Sequence, residues 1–372
     1  MVERRRLRSV DAFRGLVLAF MVLTPATGGP EHFSLLRHAE WDGATPSDLL
    51  FPTFLVTSGI SLSFLLRPPT TGAVRRRLVR RTVLLVLVGL AYNAYGTSGF
   101  DLSALRFTGV LQTIGISGAV AAIVVLALRR RGGEDRAGAI AAVAGLVTVA
   151  YWAAMEWLAP CAPVERCSPL FGIDRRVLGP AHTYAGGELG FDPEGIAVTV
   201  AASALVLVGY LGGLLVRRSA LSVPRFVPPV LLLGGAAAGA GVLVEGSVAF
   251  NKRLLSSSFV LLAAGVALLA FAVVAVTLDL PFPVRQLERV RAVGSLPAIA
   301  LGRNALVVFL LERLLLQTAR FAHVGDQTAQ DWALDWLPVG RPGVHLVYTG
   351  AVLGLILCVV VVLHLRRWYL AL

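Results

Sequence analysis

Leu35–Gly59 reads LLRHAEWDGATPSDLLFPTFLVTSG and joins a polar loop to a long apolar run. The loop carries His38, Glu40, Trp41 and Asp42, and Pro46, Ser47 and Asp48 open a run that stays apolar to about residue 66. Ser47 or Asp48 suits a helix N-cap, because a short side-chain oxygen accepts from the first unpaired backbone amides. A helix of this length and apolarity fits a bilayer core of roughly 30 Å.

Runs of the same kind recur along the whole chain. Ten spans are predicted, at 10–28, 48–66, 79–97, 109–128, 138–158, 196–216, 226–245, 254–277, 297–318 and 344–365. The 372 residues are 56% hydrophobic and 15% charged, with mean hydropathy +0.75, which no soluble globular domain matches. No strand alternation supports a barrel. The expected fold is all-α: a polytopic helical membrane protein of about ten transmembrane helices, one domain over 1–372. The formal charge of +12 invites a nucleic-acid reading, but the arginines sit in short loops between apolar runs, so no nucleic-acid partner is expected. With ten spans, 22 Lys and Arg residues fall on one side, nine on the other, and three (Arg14, Arg303, Arg313) within spans. The positive-inside rule then puts both termini in the cytoplasm. The first run holds Arg14 and leads straight into this pattern, so no cleaved signal peptide is expected. The loops near 29–47 and 159–195 fall outside. The second carries Cys161 and Cys167, for which an extracytoplasmic disulfide is plausible. Cys358 in the last span reads as buried packing. The GGAAAGAG run at 234–241 reads as a close helix contact.

Topology sorts the polar residues by depth. On the outer side, Gln112 opens span 4, Asp192 and Glu194 precede span 6, Glu245 ends span 7, Asn251 and Lys252 precede span 8, and Glu312 lies in span 9. All come to about the level of His38. Ionisable groups at membrane depth pair or line a cavity, and each alone also fits a helix cap or headgroup contact. On the inner side, Asp11 and Arg14 lie one turn apart, and Arg303 and Asn304 enter span 9. Two readings stand side by side: an Asp11–Arg14 pair snorkelling to the interface, and a basic mouth for a phosphorylated cytoplasmic ligand.

A lone histidine is often an ordinary loop residue. Around His38, however, Trp41 and the Asp42-Gly43 turn fix the loop, and Asp48 brings a carboxylate near the ring. An imidazole oriented by a carboxylate suits general-base or nucleophile work near neutral pH. No second histidine or cysteine has ligand spacing, so no metal is expected. There is no serine nucleophile elbow and no phosphate-binding glycine loop. A multispan transporter also fits the composition, although its polar groups should gather at mid-membrane on broken helices. A non-catalytic membrane scaffold is a third reading.

Arg8-Ser9-Val10-Asp11-Ala12-Phe13-Arg14-Gly15, then His38-Ala39-Glu40-Trp41-Asp42-Gly43 and Asp48-Leu49-Leu50-Phe51-Pro52, resembles the membrane acyltransferases related to heparan-α-glucosaminide N-acetyltransferase. Gly109-Val110-Leu111-Gln112, Asp192-Pro193-Glu194-Gly195, Asn251-Lys252 and Gly302-Arg303-Asn304-Ala305 extend the resemblance over most of the chain. The ordered set is specific; no single tetrapeptide is. Thr113 replaces an arginine of the family pattern, Asp42 an asparagine, and Thr24-Pro25 stands where an asparagine is common. These departures bear on acceptor choice.

The resemblance implies transfer of an acetyl group from cytoplasmic acetyl-CoA to an amino sugar on the far side of the bilayer, with His38 catalytic. On that basis Asp48 orients the imidazole, and Asp11, Arg14, Arg303 and Asn304 hold the acyl donor. Trp41, Asp42, Gln112, Asp192, Glu194, Asn251, Lys252 and Glu312 then serve the acceptor or the oxyanion. N- and O-acylation both remain open, and a homodimer is a family-based expectation. The Ala-, Val-, Leu-, Gly- and Arg-rich composition points to a bacterial plasma membrane, with a cell-envelope glycan or exported sugar as acceptor.

Overall fold

The computed structural model of the chain describes residues 7–24, 33–96, 101–129, 133–157, 167–281, 284–337 and 343–370. Its elements run α1 (Arg8–Leu23), α2 (Leu50–Leu65), α3 (Gly72–Gly96), α4 (Val110–Leu128), α5 (Ala137–Trp157), α6 (Phe171–Leu178), α7 (Ile196–Arg218), α8 (Val223–Glu245), α9 (Ser257–Asp279), α10 (Arg285–Gly294), α11 (Leu296–Arg303) and α12 (Ala305–Phe321). A hairpin of β1 (His323–Val324) and β2 (Gln327–Thr328), then α13 (Ala329–Asp335) and α14 (Gly343–Leu365), complete it. The fold is that of an all-α polytopic membrane protein.

Every predicted span contains a helix, but among the described residues seven are long and apolar enough to cross a membrane: α3, α4, α5, α7, α8, α9 and α14. The other three predicted spans are shorter or interrupted. α1 and α2 have 16 residues each. Span 9, expected as one helix, is split into α11 and α12 at Asn304. There the Asn304 side chain donates Nδ2–H to the Ala300 carbonyl, 3.1 Å away. That bond competes with the regular i→i−4 ladder.

Two compact units make up the chain. A terminal unit comprises Met1–Ala39, Thr45–Leu50 and Val273–Ala371, and a central unit comprises Glu40–Ala44, Phe51–Ala272 and Leu372. In the terminal unit α1 crosses α11 at glycines. A Cβ on Gly15 would stand 1.8 Å from the Ala298 carbonyl oxygen, and one on Gly302 1.7 Å from that of Asp11. Lipid tails are as apolar as leucine, so helices in a bilayer associate through such close backbone approach. Gly302→Ala is expected to destabilise the protein by about 1–3 kcal/mol through overpacking, seen as a lower Tm in detergent or nanodiscs. Leu7 offers α1 no side-chain cap. Asp279 at the end of α9 does this instead, accepting from Arg8 N (3.0 Å) and Ser9 N (3.1 Å). A carboxylate at a helix N-terminus also meets the positive end of the helix dipole.

In the central unit α7 is the buried axis. Gly59 of α2 faces Val206 O of α7, and Gly209 of α7 faces Val56 O of α2, each leaving about no room for a side chain (2.0 and 2.1 Å to an added Cβ). The 234–241 run does make a close contact: Gly234 and Gly241 of α8 lie against α9, whereas Gly235 and Gly239 meet open space. At the arginine-rich end of this unit, Asp135 ties the end of α4 to α7. It accepts from Arg129 Nε (2.8 Å), Arg217 (3.2 Å) and the Tyr210 hydroxyl (2.9 Å). Arg130 and Arg131 lie outside the described residues, as do Pro25 and Cys161. Cys167 is disulfide-bonded. Cys358, expected to be buried, is exposed on α14, because the turn of that helix leaves it off the face shared with Ile356 and Val360.

Candidate active site

The polar loop after α1 is built around Asp48. Its Oδ1 lies 2.8 Å from His38 Nδ1. Its Oδ2 accepts from Ala39 N (3.0 Å), Thr45 N (3.1 Å) and the Thr45 hydroxyl (2.8 Å). The carboxylate is 1% exposed and the imidazole 27% exposed. A buried carboxylate with this many donors is an acceptor, so Nδ1 carries the proton and Nε2 is the basic nitrogen. Ser47 Oγ braces the loop internally by donating to Leu35 O (3.2 Å), and it lies 3.5 Å from Thr24 Oγ1 at the end of α1. The dyad expected from the sequence is therefore present, and it lies wholly within the terminal unit.

The other end of α1 carries a second cluster in the same unit. Arg303 donates Nε–H to Asp11 Oδ2 at 3.2 Å and reaches the Tyr369 hydroxyl at 3.0 Å. Its guanidinium also stands 5.1 Å from the centre of the Tyr369 ring. Arg14 donates to the Gly302 carbonyl (3.2 Å) and lies 3.9 Å from Asp11. Asp11 thus approaches Arg303 more closely than its sequence neighbour Arg14. Ser9 Oγ and Asn304 Oδ1 are buried and have no hydrogen-bond partner among the described residues. Glu312 is half-buried on α12.

The remaining expected residues belong to the central unit. Asn251 is 2% exposed and directs Nδ2 to Asp42 Oδ1 at 3.1 Å, while its own Oδ1 accepts from Leu254 N. Gly43 N donates to Phe250 O at 2.7 Å. Trp41 meets Phe191 edge-on at 5.1 Å, and Arg253 stands 5.8 Å over both rings. Asp42 is exposed. Lys252 follows in the turn before α9. Gln112 packs its amide against Gly89 of α3, where an added Cβ would meet Oε1 at 2.2 Å, and its buried Nε2 has no partner among the described residues.

Asp192 and Glu194 are joined by a residue the sequence reading did not single out. Arg106 places one guanidinium nitrogen 2.5 Å from each carboxylate. Asp192 also accepts from the Thr108 hydroxyl (2.6 Å), Tyr184 N (2.9 Å) and Glu194 N (3.0 Å). Burial opposes the Arg106 charge, but the Glu194 and Asp192 carboxylates outweigh it and hold the guanidinium above its ordinary value. The available signal was a lone arginine on the arginine-poor side, three residues before Gly109.

Asp174 of α6 was also missed. Its Oδ1 accepts from Ile196 N at the start of α7 (2.7 Å). Burial, with help from Asp192, pushes its carboxyl up to about 6 from an ordinary 3.8, against the Ile196 bond and the Arg106 charge. The protonated form is favoured in the fold, so this contribution is full below about pH 4 and is lost as the pH rises through about 6. Asp174→Asn keeps an acceptor for Ile196 N. It is expected to exceed wild type in stability at pH 7, by about 1–2 kcal/mol once the shift is discounted for solvent screening, and to converge with it towards pH 4. Thermal melts across that range check this.

Among the described residues no group of three or more His, Cys, Asp or Glu could hold a metal ion. The family model described as "Heparan-alpha-glucosaminide N-acetyltransferase, catalytic" matches residues 6–165. The human protein named heparan-alpha-glucosaminide N-acetyltransferase is 27% identical over 307 residues, 68% of this chain and 46% of that protein. Its mouse namesake is 33% identical over 126 residues, 32% of this chain and 19% of that protein. These matches span less than half the length of either relative. The matched segment carries both the first motif on α1 and the His38 loop, so over residues 6–165 the chain is similar to the catalytic region of the heparan-alpha-glucosaminide N-acetyltransferases.

Proposed function

We propose that the protein is a transmembrane acetyltransferase that moves an acetyl group from cytoplasmic acetyl-CoA to an extracytoplasmic amino sugar or glycan, with His38 as its catalytic residue. The observation that carries this reading is the 2.8 Å contact between His38 Nδ1 and the buried Asp48 carboxylate, which leaves Nε2 as base or nucleophile. As base, Nε2 takes a proton from the acceptor amine or hydroxyl while that atom attacks the thioester carbonyl. The tetrahedral adduct collapses, the C–S bond breaks, and the proton passes to the leaving CoA thiolate. As nucleophile, Nε2 attacks the thioester carbonyl and the C–S bond breaks to release CoA thiolate; the acceptor then attacks the acetyl-imidazole, the N–acetyl bond breaks, and the acceptor proton is taken up by the thiolate.

The donor assignment rests on the second cluster of the terminal unit. Arginine suits phosphate, and Ser9 Oγ and Asn304 Oδ1, buried and without a partner among the described residues, are further polar groups for a nucleotide. α1 has 16 residues, about 24 Å of helix. An extended donor held at Arg14 and Arg303 can run along it towards the dyad. Removing the charge at Arg303 is expected to raise the KM for acetyl-CoA about tenfold, the weight of one charge-assisted contact of roughly 1.5 kcal/mol, with a smaller change in kcat. Unchanged donor affinity in both Arg303→Ala and Arg14→Ala would remove the assignment.

On the acceptor side, the hydrogen bonding of Asp192 and Asn251 fits them to hold loops in place. Trp41 and exposed Asp42, three and four residues along the chain from His38, are the better acceptor contacts, with Glu194, Gln112, Lys252 and Glu312 in supporting or oxyanion roles. The plasma membrane of a bacterium and a cell-envelope sugar belong to the same reading. The test is CoA release from acetyl-CoA by purified protein against a panel of amino and neutral sugars. Release that requires an acceptor supports direct transfer. Release without acceptor, with labelled protein, supports an acetyl-histidine. No release from folded protein returns the weight to the transporter or scaffold.

A further inference from the structure

α10 is a ten-residue helix whose protein-facing side is defined by one arginine. Arg291 donates to the Leu280 carbonyl (2.6 Å) and the Thr277 carbonyl (3.3 Å) and pairs with Glu288, and Ser295 just beyond the helix is buried. These contacts fasten α10 to the end of α9. The side centred on Val290 is uncovered and mainly apolar: Val284, Leu287, Val290 and Val293 are 46%, 50%, 73% and 72% exposed, with Gln286 exposed among them. Steps of three residues keep Leu287, Val290 and Val293 on one side of a helix. Arg289, also exposed, borders that side one turn before Val293.

The neighbours of α10 fix its level. α9 is long and apolar enough to cross a bilayer. Five residues separate it from α10, a reach of at most roughly 18 Å. A single residue, Ser295, separates α10 from apolar α11. α10 therefore sits where the chain leaves and re-enters the membrane. The distribution of arginines makes that level cytoplasmic. Uncovered valines and leucine at this level, with arginines on the adjoining side, match a helix lying in the interface rather than one standing in water.

We infer that α10 is an interfacial helix seated on the cytoplasmic leaflet, with Leu287, Val290 and Val293 at the acyl boundary and Arg289 among anionic lipid headgroups. The inference is independent of the acetyltransferase reading. Nitroxide labels at Val290→Cys, Val293→Cys and Arg289→Cys, each in a Cys358→Ser background of the full chain, test it in nanodiscs containing phosphatidylglycerol. The ratio of oxygen to nickel-chelate collisions is expected to be several-fold higher at 290 than at 289, with 293 between them. Equal nickel access at 290 and 289 would mean a water-facing helix and overturn the proposal. Shielding of 290 from both reagents would mean a protein partner or second copy, and would overturn it as well. Exchanging phosphatidylglycerol for phosphatidylcholine is expected to increase nickel access at 290; no change removes the anionic-headgroup part.

Discussion

His38→Ala is expected to lower acetyl transfer by about 10²–10⁴, the range that a positioned general acid–base group supplies. The protein should remain folded. The imidazole is 27% exposed, and the loop is held mainly by Asp48 through Ala39 and Thr45, bonds that survive loss of the ring. A melt beside the kinetics separates the two effects: an unchanged Tm with lost turnover marks a catalytic role. Asp48→Ala should differ, because it removes the ring's orienting partner and the loop's three other acceptor contacts together. It is expected to lower both kcat and Tm. Full transferase activity in His38→Ala would sink the mechanism at its centre.

Arg106→Ala is expected to destabilise the protein by about 3 kcal/mol, the lower part of the range for breaking a buried ion pair, because Arg106 itself is partly exposed. The cost arises on the carboxylate side. Asp192 has a fully buried side chain, and it loses the guanidinium while keeping the Thr108 hydroxyl and two backbone amides. Glu194 loses the same guanidinium. Arg106→Lys should recover only part, since a single ammonium cannot reproduce the planar fork. A double-mutant cycle with Asp192→Asn decides the matter. If the carboxylate charge is the source of the cost, Arg106→Ala should be less damaging in the Asp192→Asn background. Strict additivity would assign the loss to packing against Tyr184, whose ring lies 4.7 Å from the guanidinium.

A helix in each apolar run and the His38–Asp48 contact were legible in the sequence because the causes are local; the short helices α6, α10 and α13 were not. Apolar length is a property of one segment. His38 and Asp48 lie ten residues apart in one loop, within reach of a single turn-bounded chain. Cys358 shows the limit of that logic: an apolar run says that a helix enters the bilayer, not which side of it faces lipid. The break at Asn304 depended on a side chain turning back to its own helix, which hydropathy does not register.

What only the tertiary structure decided were the partners. Arg303 reaches Asp11 across 292 residues, Asp279 caps α1 across 271, Asn251 holds Asp42 across 209, and Arg106 joins Asp192 across 86. Each pairing follows from which helices lie side by side, and that choice is made where backbones can approach, at Gly15 and Gly302 or at Gly59 and Gly209. The sequence determined by itself which segments are long and apolar and that His38 and Asp48 share one loop, because both are properties of neighbours in the chain. Which charge meets which was left to packing, because a salt bridge needs two helices to be adjacent before either residue can find the other.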